Sequence, residues 1–338
     1  MRQQFEYHPL IGYRYIAGLR ARVPHESGGY LLHTNAQGFR CAHDFEPALR
    51  PGKPRRVLLF GDSFTAGDGV RNELRYGDLL EAMLPGLEVY NFGLPGTGTD
   101  QQYLSWTACA QGIEHDLVIV AILVENIRRV ASRYRPFVDE AGHSRLLAKP
   151  YFELDSDGGL RLCQVPVPRE PLDPASLAPA EAGFVEQGGR HARLRACVNA
   201  LGLKPLAQRL HAYQPCPEYE DAEHPAWRLL SAILAQWATR VHEHRVLLLP
   251  LPLYQHVEEL ADASAYRARF AALAAALGWQ LHDPLPELLG YEMAARRAFR
   301  FEHDVHPSAA GHRALARSLA PVLAARLGLT QAPQGCGP

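Results

Sequence analysis

Ser63, Asp304 and His306 are the residues of this sequence that could do covalent chemistry together. Ser63 ends the string Gly61-Asp62-Ser63, directly after a short apolar run. A serine hydroxyl is hardly ionised near neutral pH, so as a nucleophile it needs a base within hydrogen-bond reach. The stretch Phe301–His312 (FEHDVHPSAAGH) offers one, with Asp304 and His306 two apart, just before a helix that Pro307 or Ser308 would start. A histidine on a loop beside a carboxylate is a general base held in one tautomer. The anion that forms when a hydroxyl attacks a carbonyl needs N–H donors. Ser63 N–H is one candidate, because a residue leaving a strand loses its sheet partner. Gly96 N–H, in the glycine-rich turn Asn91–Thr99 (NFGLPGTGT), is a second, and the amide side chain of Asn126 is a third. Together these residues point to acyl transfer through an acyl-serine.

Each of them has a plainer use. Gly-Asp-Ser is also good turn sequence, and Asp62 either fixes the Ser63 turn from behind or simply forms an Asx turn. Asp304 could cap the following helix. Asn126 could satisfy nearby backbone. Gly93 or Gly98 could donate in place of Gly96, or all three glycines could serve only the turn. His312 reads as a core histidine. A metal site built from His303, Asp304, His306 and His312 is conceivable, but no second cluster with ligand spacing accompanies them, and His242 and His244 sit at a polar helix end. Neither a metal nor a cofactor is expected.

The elements that must position these residues follow from the hydrophobic pattern. Val57–Phe60 is a continuous apolar run, as in a buried parallel strand. Leu74–Leu84 carries Leu74, Leu79, Leu80, Met83 and Leu84 at helical spacing, closed by Pro85-Gly86. Leu87–Phe92 is a second strand, Thr97–Gly112 holds a helix, and Leu117–Val124 (LVIVAILV) is a strand apolar enough to be central. After a long break come a helix over Ala226–His242, a strand at Val246–Leu251, an Ala-rich helix over Ala263–Leu277, a short strand at Trp279–His282 and a final helix over Ala309–Leu327. Alternating strands and helices imply right-handed crossovers and a parallel sheet. In such a sheet the carboxyl edge collects loops distant in sequence, so Ser63 and the Asp304/His306 pair could meet there.

Two regions depart from this rhythm. Residues 1–50 carry Tyr, Ile and Val in partial alternation with turn residues, and read as a β-rich extension of short antiparallel strands. Glu46–Pro54 is a Pro-rich linker into the main domain, residues 51–330. Residues 134–225 read as an insertion, with a β-hairpin around Asp157-Gly158-Gly159 and a helical piece near Arg193–His211. It serves either as a lid over the sheet edge or as a plain surface excursion. Residues 331–338 should fray.

Composition sets the outer bounds. The 338 residues are 47% hydrophobic and 21% charged, with a formal net charge of −1, so no field draws in nucleic acid or an acidic membrane. The six cysteines form no CxxC pair. The first residues, MRQQFEYHPLIGYRY, contain no apolar signal core, and no apolar run is long enough to span a membrane. A cytoplasmic protein is the expectation; the oligomeric state is left open.

The GDSF string, the NxGxxG turn, the Asn after the third strand and the late Asp-x-His-Pro-Ser together resemble the SGNH (GDSL-type) hydrolase superfamily, over roughly Arg55 to Leu327. The resemblance implies a flavodoxin-like three-layer α/β/α sandwich with a central, mostly parallel sheet. It implies Ser63 as nucleophile, His306 as base, Asp304 as orienting acid, and Ser63, Gly96 and Asn126 as the oxyanion hole. Two departures stand out. The commonest family pattern has the acid three residues before the histidine, where this chain has His303. Some relatives that move acyl groups onto polysaccharides use the closer D-x-H spacing. The common Gly-x-Asn-Asp block is Val124-Glu125-Asn126-Ile127 here. The expected activity is hydrolysis of a small-molecule or carbohydrate ester or thioester. The alternatives are O-acyl transfer or deacetylation on a carbohydrate or secondary metabolite, and an inactive binding domain of the same fold.

Overall fold

The computed structural model describes residues 4–138, 142–186, 214–242 and 245–332; the helix expected near Arg193–His211, and His244, lie outside the described residues. Two antiparallel hairpins come first, β1 (Phe5–His8) with β2 (Gly12–Tyr15) and β3 (Arg20–Val23) with β4 (Tyr30–His33). Three strands of the main sheet follow, β5 (Arg55–Phe60), β6 (Leu87–Asn91) and β7 (Leu117–Leu123). Two more hairpins interrupt, β8 (Tyr134–Val138) with β9 (Ser144–Ala148) and β10 (Tyr151–Leu154) with β11 (Leu160–Cys163). The sheet is completed by β12 (Val246–Leu251) and β13 (Gln280–Leu281).

The main sheet is parallel throughout, in the order β13-β12-β7-β5-β6. Counted among its own five strands this is the flavodoxin-like order, which reverses direction between β5 and β7. The register Val57↔Leu117 to Phe60↔Val120 sets the carboxyl ends of those two strands side by side. Ser63 leaves one of them and Asn126 the other, so the crevice where such sheets bind ligands lies between them. All seven residues of β7 are buried, as their unbroken apolar run requires of a central strand covered on both faces. Each buried Val, Leu or Ile there contributes roughly 1.5–3 kcal/mol. Helices Tyr76–Met83 and Ala309–Leu327 pack on each other, while Thr99–Cys109, Asn126–Val130 and Ser264–Leu277 gather round Pro225–Ala238. These groups are the outer layers of the α/β/α sandwich.

Strand β5 begins two residues earlier than the apolar run suggests, and Arg56 within it is fully buried. Its guanidinium is satisfied by Glu88 at 2.7 Å and by the carbonyls of Glu46, Pro47, Ala48 and Glu114. A buried charge is tolerated when paired and hydrogen-bonded in this way. The N-terminal segment shares the main core: Phe39 meets Phe92 edge-on at 4.9 Å, Phe45 lies tilted against it at 4.4 Å, and Phe92 stacks on Phe60 at 4.7 Å.

Lys149 ties the 134–186 segment to the helix Thr99–Cys109 by a buried ion pair, and to the helix that carries Asn126 by hydrogen bonds. Lys149 Nζ donates to Asp100 Oδ2 at 2.5 Å and to the carbonyls of Arg129 and Ser132 at 2.7 and 3.1 Å. Both side chains are nearly inaccessible, at 7% and 0% exposed. Removing one member of such a pair strands the other without solvent. Lys149→Ala should therefore lower the unfolding free energy by about 3–5 kcal/mol, read as a lower urea midpoint at unchanged slope.

Candidate active site

Strand β5 ends in a one-turn helix, Ser63–Ala66. Asp62 caps it, its Oδ1 accepting the Phe64 N–H at 3.0 Å, and Gly67 closes it in a left-handed conformation. Asp62 makes the Asx turn, and its Oδ2 also accepts from Arg129 Nη1 at 2.8 Å. The tight turn holds Ser63 at the sheet edge with only 5% of its surface exposed.

Across the crevice stands His306, on the loop before the last helix. Its Nε2 is 2.9 Å from Ser63 Oγ, and its Nδ1 is 2.5 Å from Asp304 Oδ1. A carboxylate only accepts, so Nδ1 carries the proton and Nε2 is left to accept from the serine hydroxyl. The His306 backbone N–H donates to the same Asp304 oxygen at 3.0 Å. It is Asp304, not residue 303, that meets the imidazole. Capping the last helix falls to Ser308, whose Oγ accepts from Gly311 N–H at 3.3 Å, so Asp304 is not needed there. Burial works against a charged His306. The hydrogen bond to Asp304 and the carboxylates of Asp68, Asp304 and Asp62 outweigh burial and raise its pKa above the ordinary value. The hydrogen bond from His306 in turn holds Asp304 below the usual carboxylate range, against the opposing effect of burial.

The glycine alternatives separate by what their N–H groups do. Gly93 N–H donates to Asn91 Oδ1 at 2.8 Å, and Gly98 N–H to Gln101 Oε1 at 3.4 Å. Among the described residues, Gly96 N–H and Ser63 N–H donate to no protein group. Gly96 has φ +73°, where a side chain is strained, and the Arg135 guanidinium occupies the space into which a Cβ would project. Above this turn Tyr13 Oη donates to Pro95 O at 2.5 Å, and Arg135 Nη1 reaches Tyr13 Oη at 2.6 Å.

Asn126 opens the helix that follows β7 and is fully buried. Its Oδ1 accepts from Arg129 Nη1 at 2.9 Å, which turns Nδ2 the other way. That Nδ2 is buried and has no partner. An unpartnered buried amide beside a crevice is able to donate to a foreign acceptor.

Arg129 joins these pieces. One nitrogen, Nη1, lies 2.8 Å from Asp62 Oδ2, 2.9 Å from Asn126 Oδ1 and 3.4 Å from Thr97 O. It therefore touches the residue before Ser63, the asparagine itself and the residue after Gly96. Sequence reasoning did not single out Arg129. Its position three residues after Asn126, on the same helix face, was the available signal.

Two recesses open beside Ser63 and His306. One is mostly apolar, lined by Phe64, Val305, Pro307, Leu251, Leu288 and Leu315, with Arg296 and Arg300 also reaching it. The other shares Phe64 and Val305 but adds Glu125, Pro215 and Gln255. Glu125, one of the departures in the Asn126 block, thus lines a pocket wall and also pairs with Arg128 at 3.2 Å. His312 is a core residue: its Nδ1 accepts the Tyr76 N–H at 3.3 Å, and burial pushes its pKa down to about 3. Among the described residues no group of three or more His, Cys, Asp or Glu is arranged to hold a metal ion, and no helix is long and apolar enough to cross a membrane.

Residues 59–314 match the model of the GDSL-like Lipase/Acylhydrolase family. The chain belongs to this family. The match covers Ser63, Gly96, Asn126, Arg129, Asp304 and His306, and it makes the protein an esterase or a related acyltransferase. No curated protein gives a match. Among solved structures, the chain is similar to LAE5, an alpha/beta hydrolase enzyme from the metagenome of Lake Arreo, Spain, at 17% identity over 84% of this chain and 100% of that one, with a TM-score of 0.42. It is similar to a lipase/acylhydrolase from Enterococcus faecalis at 14% identity over 82% and 99%, with a TM-score of 0.42. An acetyl xylan esterase, AlAXEase, gives 14% identity over 79% and 99%, with a TM-score of 0.43.

Proposed function

We propose that the enzyme hydrolyses carboxylic esters or thioesters through an acyl-serine at Ser63. The observation that carries this reading is the series Ser63 Oγ, His306 and Asp304, linked at 2.9 and 2.5 Å. Ser63 Oγ attacks the carbonyl carbon while His306 Nε2 takes its proton. The tetrahedral oxyanion is held by Ser63 N–H, Gly96 N–H and Asn126 Nδ2. When the intermediate collapses, His306 returns the proton to the leaving alcohol or thiol. Water then attacks the acyl-serine, with His306 as base again, and releases the acid. Asp304 holds the imidazole in the required tautomer and stabilises its charged form. Phe64, Val305 and Pro307 flank the reacting pair, so the mostly apolar recess they line suits the acyl group. Residues 51–330 form the hydrolase domain, and Pro215 of the inserted segment lines one of its pocket walls.

The Asp304–His306 spacing supports a second reading, transfer of the acyl group to a carbohydrate hydroxyl in place of water. The two part on acceptor dependence: a polyol that raises turnover of a p-nitrophenyl ester and appears acylated selects transfer.

The experiment is a pH profile of kcat/KM on p-nitrophenyl acetate, together with mapping of a fluorophosphonate adduct. His306 works as a base only when neutral. Its pKa is raised, so activity should fall on acidification with a midpoint above the ordinary histidine value of about 6.5. The adduct should sit on Ser63. A probe that leaves Ser63 unlabelled while the protein is folded overturns the reading in favour of a binding domain.

A further inference from the structure

The hairpin tip between β3 and β4 lies outside the family match, which begins at residue 59, yet it reaches the loop that carries Asp304. We propose that His25 and Glu26, at this tip, are positioning residues that lock Asp304 onto His306. The proposal rests on the acyl-serine reading and adds to it a part of the machinery supplied by the N-terminal extension.

Asp304 presents two oxygens. Oδ1 takes both donors of His306, from Nδ1 and from the backbone. Oδ2 faces His25 Nε2 at 3.2 Å, across 279 residues of sequence. The tautomer of His25 follows from its other nitrogen: Nδ1 accepts the Ser27 backbone N–H at 3.1 Å and, at 2.9 Å, the Ser27 hydroxyl, so the proton sits on Nε2 and points at the carboxylate. The terminal torsion of an aspartate is broad, and a carboxylate held at one oxygen can swing or exchange oxygens. Engaging Oδ2 as well stops that rotation.

Glu26 holds the backbone of the same loop. Its Oε1 accepts the Asp304 N–H at 2.7 Å and the His303 N–H at 3.2 Å, and its Oε2 accepts the His303 N–H at 3.1 Å. The loop needs such a hold: Glu302, His303 and Val305 are exposed, and Val305 shows half its surface to solvent. Exposed loops are mobile unless tied. The tip is itself fixed. The His25 ring stands edge-on to Phe301 at 4.4 Å, its side chain is only 11% exposed, and Ser27 Oγ lies 2.9 Å from His25 Nδ1. Gly69 makes the docking possible. Its φ is +92°, and a Cβ there would lie 2.4 Å from the Phe301 ring and 3.1 Å from His25. Two independent contacts, one to the carboxylate and one to the backbone beneath it, thus converge on a single residue of the site.

The test is steady-state kinetics of the full chain on p-nitrophenyl acetate, with His25→Phe, His25→Gln, Glu26→Ala and Glu26→Gln beside Ser63→Ala and His306→Ala. His25→Phe keeps a ring against Phe301 and removes the donor, whereas His25→Gln returns an N–H to the same reach. A misplaced base costs rate more than binding, so His25→Phe and Glu26→Ala should each lower kcat by about 10- to 100-fold with KM within about twofold. His25→Gln should recover to within about threefold of the parent, and Glu26→Gln should fall between Glu26→Ala and the parent. Proton NMR adds a readout that fold stability alone does not move. The hydrogen-bonded Nδ1 proton of His306 should give a downfield signal in the parent and in His25→Gln, and lose or shift it in His25→Phe. Should His25→Phe not fold, the Glu26→Gln rate and the proton signal of Glu26→Ala decide. If the folded His25 and Glu26 variants keep parental kcat and the downfield signal while Ser63→Ala and His306→Ala are inactive, the proposal is wrong and the acyl-serine reading stands. If Ser63→Ala or His306→Ala retains parental turnover, it is the acyl-serine reading that fails.

Discussion

Ser63→Ala should lower kcat on an activated ester by on the order of 10⁵- to 10⁶-fold, and His306→Ala by a similar factor. The size follows from how the two residues act. The hydroxyl is inert until the imidazole takes its proton, and the imidazole has nothing to activate once the hydroxyl is gone. Losses in such a unit do not add. The Ser63→Ala/His306→Ala double variant should be no slower than either single variant within about threefold, because each already removes the whole covalent route. What remains is binding plus the oxyanion donors, which act on a water-driven reaction. Both substitutions remove atoms at a crevice, not in the core, so folding should be little affected. Measured rates of the two single and the double variant complete the cycle. Additive losses, with the double variant slower by the product of the two factors, would mean that Ser63 and His306 work on separate steps and that no hydroxyl–imidazole unit exists.

The parts of this site that were legible in the sequence are those whose signal is local. A strand that breaks off in Gly-Asp-Ser, an apolar run such as Leu117–Val124 and a histidine two residues from a carboxylate each announce themselves within a dozen residues. The seven buried residues of β7 and the helix Ala309–Leu327 follow from such patterns directly. Residues whose meaning is tertiary were not legible. Arg56 reads as a polar flank of a strand, and its burial depends on Glu88 and four carbonyls brought from elsewhere. His25 and Glu26 look like turn residues of a surface hairpin until the fold places them against a loop more than 270 residues away. The β8–β9 hairpin was also missed, with Pro136 interrupting its alternation; the strand tolerates it in a two-stranded ribbon, where Pro136 has a single strand partner, opposite Leu146. The same logic explains why the preference for Gly96 over Gly93 and Gly98 rested on the family resemblance. All three expose backbone N–H groups in sequence, and only the pairing of the other two with Asn91 and Gln101 singles it out.

Asn126→Ala should lower kcat by about 10²- to 10³-fold with little change in KM. The expectation rests on a donor that has nothing to do in the resting enzyme. Nδ2 is buried and unpartnered, while Oδ1 is held by Arg129 at 2.9 Å. Leaving a buried N–H unsatisfied costs stability, on the order of 1–3 kcal/mol. An acceptor that arrives only as charge builds on the carbonyl oxygen recovers that cost in the transition state and not before. Such a donor acts on kcat and leaves substrate binding nearly unchanged. Asn126→Ala removes the orphan N–H but also the oxygen that accepts from Arg129 Nη1 at 2.9 Å, so its urea midpoint should fall modestly, by the worth of about one hydrogen bond. Asn126→Asp is the sharper variant. It places a carboxylate beside Arg129, which would pair with it, and replaces an N–H by an oxygen where the oxyanion must form, so its rate should fall below that of the alanine variant. Arg129→Met separates holding from donating. It keeps Asn126 but frees its amide to turn and leaves the buried Asp62 without its 2.8 Å partner, so it should lose both rate and stability. Rates and urea midpoints of the three variants decide the matter. An Asn126→Ala enzyme that keeps kcat within about threefold of the parent would remove this amide from the oxyanion hole and leave the two backbone N–H groups of Ser63 and Gly96 to hold the charge alone.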